Sequence, residues 1–524
     1  MERLLGARIQ ITPRPAQRRD AVLEVAMLGH CPTPDSAEGA VRVTRLCTFN
    51  GALDEMRAIG YGQAVDALLA GNMADGSALS EQLAGLFHLP IPFRSSAEFH
   101  DIFPTAATAN TVYISLLAGK RAWLPQAVDD FFANGGEKLW VVRIPETVAS
   151  PGAGQQQFLP LANTNLITPE SLRGLATVLV IPALAVVAFP DLERLQIPPQ
   201  LPDVSRVRLE NPNPQFLPWG TNTDDDHRER RYSSELPNMP EPPPLEEMLR
   251  GILQFTAKYR PDLQCLFSLP LAYSGETDTP AIDRQALQQI TAIRNDSSGH
   301  LLRQIQFLFP YLRGPGFALR SAVGLIAGKQ AAVARAKGPW HSIGGQPLLS
   351  AGQPYPRLTS AETLALRTDP GVGVLTIRTG SGERNWLSLD DERLTVPALP
   401  PADYAGITNQ QKLDGFRAAE IMRFLGFLRR QLQALGEQLV FNVAVDDPRP
   451  RILLEQFFRR LYNQGALRGA VAEDAYQIQQ SSPQEGAIQF DIQVAPAFPI
   501  DRLFLTFINA AGEWRLEMSD AGNR

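Results

Sequence analysis

Apolar residues return at helical spacing at Trp123, Leu124, Ala127, Val128, Phe131 and Phe132, which predicts a helix with one face buried. Asn134-Gly135-Gly136 follows, residue types that tolerate the left-handed backbone of a helix end. Leu139 to Ile144 is then rich in β-formers, so the stretch reads as helix, stop and strand, one αβ unit. The same reading gives strands at Val25 to His30 and Val41 to Thr44 with a Pro-rich turn between them. It gives helical periodicity from Leu245 and a strand at Cys265 to Leu269. The apolar run Leu175 to Pro190, broken by Pro182, is too short to span a bilayer as a helix and is expected as two short buried strands. Phe307 to Tyr311 is an apolar strand, Arg320 to Gly328 a helix of small residues, and Gly338 to Gly345 a Trp-containing loop.

The best-patterned part lies near the C-terminus. Ile421, Phe424, Leu425, Leu428, Leu432 and Leu435 form one stripe along a helix from Phe416 to Leu435, with Arg423, Arg429, Arg430 and Gln433 off it. Gly436 is expected to close that helix and Leu439 to Val445 to be a strand. A second helix, Arg449 to Asn463, carries Ile452, Leu453, Phe457, Phe458 and Leu461. Strands are then expected at Ala475 to Gln479, Ile488 to Val494, Leu503 to Ile508 and Gly512 to Met518.

The breaks divide the chain into an N-terminal arm (1–20), a first αβ domain (21–192), a Pro-rich charged surface insertion (193–244) and a continuation of the αβ domain (245–346). A Gly/Pro-rich β connection (347–413), a C-terminal αβ domain (414–508) and a C-terminal arm (509–524) follow. The fold class is α/β, mixed α+β and multi-domain.

Composition narrows the partners. The 524 residues are 44% hydrophobic and 20% charged, enough for large cores, and the formal net charge of −6 argues against nucleic acid. The three cysteines, Cys31, Cys47 and Cys265, are too few and too far apart for a disulfide framework and read as small buried apolar residues. The N-terminus lacks a signal-peptide core, which implies a protein made in the cytoplasm.

No constellation for catalysis, cofactor or metal is expected. Asp224 to His227 sits in the almost wholly charged run Asp224 to Arg231, and consecutive residues in such a loop rarely aim their oxygens at one ion. Gly324 to Gln330 has a Gly-Lys pair without the Ser or Thr and the glycine spacing of a phosphate loop. The six histidines stand singly.

These motifs, in this order, resemble those of contractile tail sheath proteins of phages and related extracellular injection particles. The carriers are the helix–Asn134-Gly135-Gly136–strand unit, the run from Phe307 through the small-residue helix to the Trp340 loop, and the helix–strand–helix–strand–strand order with Ala495-Pro496 before Leu503 to Ile508. The Pro-Gly-Val-Tyr strand that opens simpler phage sheaths is missing, so the resemblance is to the superfamily. It implies a non-enzymatic structural subunit that forms hexameric rings in a helical stack. The partners it implies are an inner tube protein, a baseplate and sheath paralogues, within an assembled phage-tail-like particle and without membrane insertion. It makes the C-terminal domain the tube-facing one, and Arg417, Arg423, Arg429, Arg430, Arg459 and Arg460 candidates to meet an acidic patch on the tube.

Two segments would serve as arms: Arg8, Ile9, Gln10 and Ile11 at one end, and Trp514 and Leu516 at the other. A lone strand is unstable in water, so each arm either folds back on its own C-terminal sheet or completes a sheet in a neighbour. The resemblance implies the second, with the 488–508 strands receiving. Two alternatives stand beside this reading: a non-contracting minor paralogue, cap or terminator of the same particle, and a soluble hydrolase whose site is assembled only by folding.

Overall fold

The computed structural model describes residues 23–31, 45–46, 48–49, 51–70, 85–103, 118–119, 121–146, 151–160, 168–197, 245–272, 280–296, 299–314, 318–380, 385–395, 417–439, 447–481, 488–497, 503–510 and 513–520. Its centre is an eight-stranded sheet built from β1 (Glu24–Gly29), β2 (Pro90–Phe93), β3 (Leu139–Arg143), β4 (Leu184–Ala188), β5 (Gln264–Ser268), β8 (Ile305–Phe309), β12 (Gly373–Thr379) and β13 (Asn385–Leu389). The spatial order is β13-β12-β8-β5-β4-β1-β3-β2. The six inner strands are parallel, and the two edge strands, β13 and β2, run antiparallel to them.

A parallel sheet must be covered on both faces, and the side chains of alternate residues serve two cores. Ala26, Leu28, Trp140, Val142, Val187, Phe267 and Phe307 point to one, while Val25, Met27, Leu139, Val141, Val186, Leu266 and Leu308 point to the other. Helices α1 (Ala52–Ala58), α2 (Gly62–Ala70), α3 (Ser96–Ile102), α4 (Leu124–Ala133) and α9 (Val323–Lys337) cover the second core. Helices α7 (Leu245–Tyr259) and α8 (Arg284–Arg294) cover the first. Two short helices, α5 (Pro151–Gln156) and α6 (Pro190–Arg194), flank β4, and α10 (Ser360–Thr368) precedes β12. Small sheets of β6 (Leu271–Ala272) with β7 (Ala281–Ile282), and of β9 (Tyr311–Arg313) between β10 (Leu319–Arg320) and β11 (Gln353–Tyr355), complete the body.

Several local readings are met. Asn134 caps α4, Gly135 has φ +92°, and β3 follows directly. The small residues of α9 have a packing reason. A Cβ on Gly324 would lie 2.3 Å from the Ala127 carbonyl oxygen, and one on Gly328 2.2 Å from that of Phe131, so the backbones of α9 and α4 touch.

Others are corrected. Leu175 to Val178 forms part of a 3₁₀ helix, Gly174–Val180, and only Leu184–Ala188 is a strand; a short apolar run cannot distinguish the two when every residue is buried. The insertion does not begin at 193: Glu193 to Ile197 is buried beside β4, and 198–244 lies outside the described residues. β12 and β13 extend the main sheet instead of forming a separate connection. The strand expected at 41–44 lies outside the described residues, as does 440–445 of the strand expected from Leu439.

The C-terminal unit has its own core. α11 (Ala419–Leu439) and α12 (Arg449–Asn463) cover a four-stranded antiparallel sheet in the order β14 (Tyr476–Ser481), β15 (Ile488–Val494), β16 (Leu503–Ala510), β17 (Glu513–Asp520), with the short α13 (Ala472–Ala475) leading into β14. Phe424, Leu428, Leu432, Leu454, Phe458, Phe490, Ile492 and Phe507 fill the space between. Gly436 does not end α11, which continues three residues further with Gly436 buried in it.

Candidate interaction site

The strand order gives the body the kind of crevice where doubly wound enzymes hold ligands. The chain leaves β1 to place β3 on one side and β4 on the other, so the carboxyl ends of β1 and β4 flank a topological switch point. Here that crevice is closed by the chain's own side chains. Asp191 is fully buried in it and accepts from the backbone N–H groups of His30 (2.8 Å), Trp123 (2.8 Å) and Leu124 (3.0 Å). It therefore occupies the anion position at the N-terminal turn of α4. Arg194 Nε donates to Asp191 at 3.1 Å and Arg194 Nη2 to Glu146 at 2.9 Å, so the buried charges are paired.

A Cβ on Gly29 would come 2.6 Å from an Asp191 carboxyl oxygen, so glycine is required for this closure. Beside it, burial raises the Glu193 pKa to about 8 and lowers that of His30. Among the described residues, no group of three or more His, Cys, Asp or Glu side chains could hold a metal ion.

The second concentration of buried charge joins α11 to the body. Glu392, just past β13, takes both Arg423 Nη atoms at 2.7 and 2.8 Å; it also accepts from Gln330 of α9 at 2.7 Å and from the Ile343 N–H at 2.9 Å. Burial pushes this carboxyl up, but Arg423 and the hydrogen bonds outweigh it and hold the pKa below the ordinary value. Two turns along α11, Arg430 donates to the carbonyl (3.0 Å) and carboxyl (3.2 Å) of Asp262, whose carboxyl also pairs with Arg260.

Beside this second anchor a cleft of about 1500 Å³ opens between body and C-terminal unit. Glu24, Lys337, Trp340, Arg429, Glu437 and Arg460 are among its walls. Glu24 is committed to Lys138 (2.9 Å) and to the Trp140 indole (2.7 Å). Among the described residues Arg429, Lys337 and Arg460 have no carboxylate within ion-pairing distance, whereas Glu437 is the only wall carboxylate left without a cation. The cleft is thus electropositive, and burial holds Arg429 below its ordinary pKa.

The six candidate arginines therefore divide. Arg423 is almost fully buried and Arg430 is tied to Asp262, so both are corrected from outward-facing residues to internal anchors. The physical reason is that α11 is covered on two sides, by the C-terminal sheet and by the end of the body. Arg429 and Arg460 line the cleft, Arg459 is exposed on α12, and Arg417 lies half-buried, its carbonyl accepting from Leu394 N–H.

The C-terminal arm residues lie in β17, which pairs with β16 of the same chain from Leu503↔Asp520 to Ala510↔Glu513; Leu516 also packs against the C-terminal core. Of the two fates open to this arm, the chain by itself takes the fold-back. Arg8, Ile9, Gln10 and Ile11 lie outside the described residues, as does Asp224 to His227. Glu392, Asp262 and Asp191 were not singled out by the sequence; each is one acid among many, and only folding brings its partners to it.

No protein-family model and no curated protein matches the sequence. Solved structures do. The sheath of the anti-feeding prophage in its contracted state is 14% identical, with 95% of this chain and 96% of that chain covered at a TM-score of 0.48. The PVC sheath complex of an extracellular contractile injection system, also contracted, is 14% identical over 78% of this chain and 82% of that chain, at a TM-score of 0.43. The sheath tail protein from Desulfitobacterium hafniense is 12% identical over 52% and 60%, at a TM-score of 0.31.

Proposed function

We propose that this chain is a structural sheath subunit of a contractile, phage-tail-like injection machine, assembled as hexameric rings in a helical stack around an inner tube and anchored on a baseplate. The observation that carries the reading is the C-terminal sheet. One of its edges, β14, presents a mostly exposed polar strand, and the other edge is β17, Glu513–Asp520. A strand at the edge of a sheet can make the same main-chain hydrogen bonds to its own β16 or to a neighbour's. Such contacts are heterologous, and heterologous contacts build rings and helical filaments. The motif order described above supports the same reading, and the closed switch-point crevice removes the most natural place for a substrate in this fold.

In this reading the extended sheath is metastable and shortens by repacking, without nucleotide, once the baseplate releases it. Arg429, Arg459 and Arg460, with Lys337, form the cationic surface offered to an acidic partner, the tube being the partner proposed. Negative-stain microscopy of the purified chain or its native particle tests the proposal: ordered tubes are expected, and dispersed single subunits with hydrolytic turnover would overturn it.

A further inference from the structure

The body carries a second concavity, far in sequence from the C-terminal sheet. It is a groove of about 920 Å³ whose floor is the antiparallel pair β12 and β13 and whose walls are α10 and the segment from Pro347 to Pro354. Three of the seven exposed large apolar side chains among the described residues line it: Leu349 (64% exposed), Leu364 (53%) and Ile377 (38%). Isolated exposed apolar residues are ordinary, but three converging on one groove mark a contact surface. Its rim is basic. Arg367 and Arg378 share the single carboxylate of Asp390, at 2.8 and 3.2 Å, and exposed Arg357 has no ion pair among the described residues. The groove therefore fits an apolar residue flanked by carboxylates.

The same chain displays such a feature elsewhere. At the corner before β14, Val471 is 51% exposed, and the exposed Glu473 and Asp474 follow it with no ion pair among the described residues. The corner is held in place before any contact: Tyr462 Oη donates to the carbonyls of Gly469 (3.3 Å) and Ala470 (3.1 Å), and the Asp474 N–H donates to the Val471 carbonyl at 3.2 Å. A contact already ordered in the free subunit avoids the entropy of ordering it on binding.

We infer that the Val471–Asp474 corner of one copy seats in the Leu349–Leu364–Ile377 groove of another, with Glu473 and Asp474 facing the Arg357 side of the rim. The two surfaces differ, so the contact is head-to-tail and propagates through an assembly. It rests on the sheath reading only in that copies must meet; it joins body to C-terminal unit and uses no strand exchange.

Two measurements on the full chain test it. In assembly assays, Arg357→Glu alone and Glu473→Arg/Asp474→Arg alone should each cut the yield of ordered tubes by about tenfold or more, because like charges then face each other. The chain with all three reversals should regain most of the yield. Wild-type yields from both reversed chains, or a combined variant no better than its parents, would overturn the contact. Second, Leu364→Cys and Val471→Cys chains are oxidised after mixing. A disulfide-linked dimer should form in the mixture and not from either chain alone. Failure of wild-type chains to form tubes counts against the sheath reading, and the mixed cross-link still decides the contact; its absence from concentrated mixtures would overturn the inference.

Discussion

Arg423 and Arg430 lie on one helix, and each meets a carboxylate that the body supplies, Glu392 and Asp262. Breaking a buried pair from one side leaves an uncompensated charge, so Arg423→Gln should cost about 3–5 kcal/mol in denaturant unfolding. The exposed Arg459→Gln should stay within about 0.5 kcal/mol. Glu420 adds a pH dependence. Burial first, and then the neighbouring Glu392 charge, raise its pKa from 4.5 to about 7. The folded chain keeps the proton where the unfolded chain has lost it, so stability is greatest below the ordinary value and falls as pH rises through this window. Glu420→Gln should flatten that fall, raising Tm at pH 8 and leaving it nearly unchanged at pH 4.5; parallel Tm–pH curves for the two proteins would refute the assignment. None of this was legible in the sequence. The helical stripe shows Arg423 on the polar face, but a stripe describes one covering surface, and α11 has two. The partners of Arg423 and Arg430 stand 31 and 168 residues away.

At the scale of elements, the α4–α9 crossing is a close backbone contact. With 2.2 Å between a Cβ on Gly328 and the Phe131 carbonyl oxygen, Gly328→Ala must push the helices apart, at about 1–3 kcal/mol or more. Gly465→Ala is the control, since φ +76° strains it but open space surrounds it; calorimetry should find a smaller loss there. The helix–Asn-Gly-Gly–strand unit was legible because every local signal agreed: periodicity, cap and β-formers. Leu175 to Val178 was misread because a wholly buried segment shows no periodicity to decide between helix and strand. Gly436 was misread because burial against the rest of its unit overrides the weak helix-breaking tendency of one glycine. β12 reads as a strand from its residues, yet nothing local says that it joins β8 at the edge of the main sheet.

For the molecule as a whole, the cationic cleft and α12 give a charge test of partner binding. Arg459→Glu with Arg460→Glu, both exposed and neither an internal anchor, should leave the circular dichroism spectrum unchanged and impair co-assembly with an acidic tube protein; wild-type tube–sheath particles from that variant would remove this role. The sequence conveyed the order of the elements and the α/β class, since order is what a chain records directly. It could not convey which unit leans on which, because that depends on pairs such as Glu392–Arg423 that only folding creates.

The two sheets also imply a timetable. In the C-terminal sheet each strand pairs with its successor along the chain, β14 with β15, β15 with β16, β16 with β17. In the main sheet Val25 waits for Leu139 on one side and Val186 on the other, and Leu308 waits for Gly373. Long-range pairing is slow, and local pairing is fast. A growing chain therefore holds β1 without a paired neighbour until β3 and then β4 have been made, while the C-terminal sheet closes almost as soon as its residues emerge. The C-terminal unit is finished only after the body has been synthesised, so contacts that need this unit cannot form on chains whose body is still incomplete. Pulse proteolysis of chains stalled after residue 400 should find the β1–β8 core already protected, and a core that becomes protected only with residues 476–520 present would contradict this sequence of events.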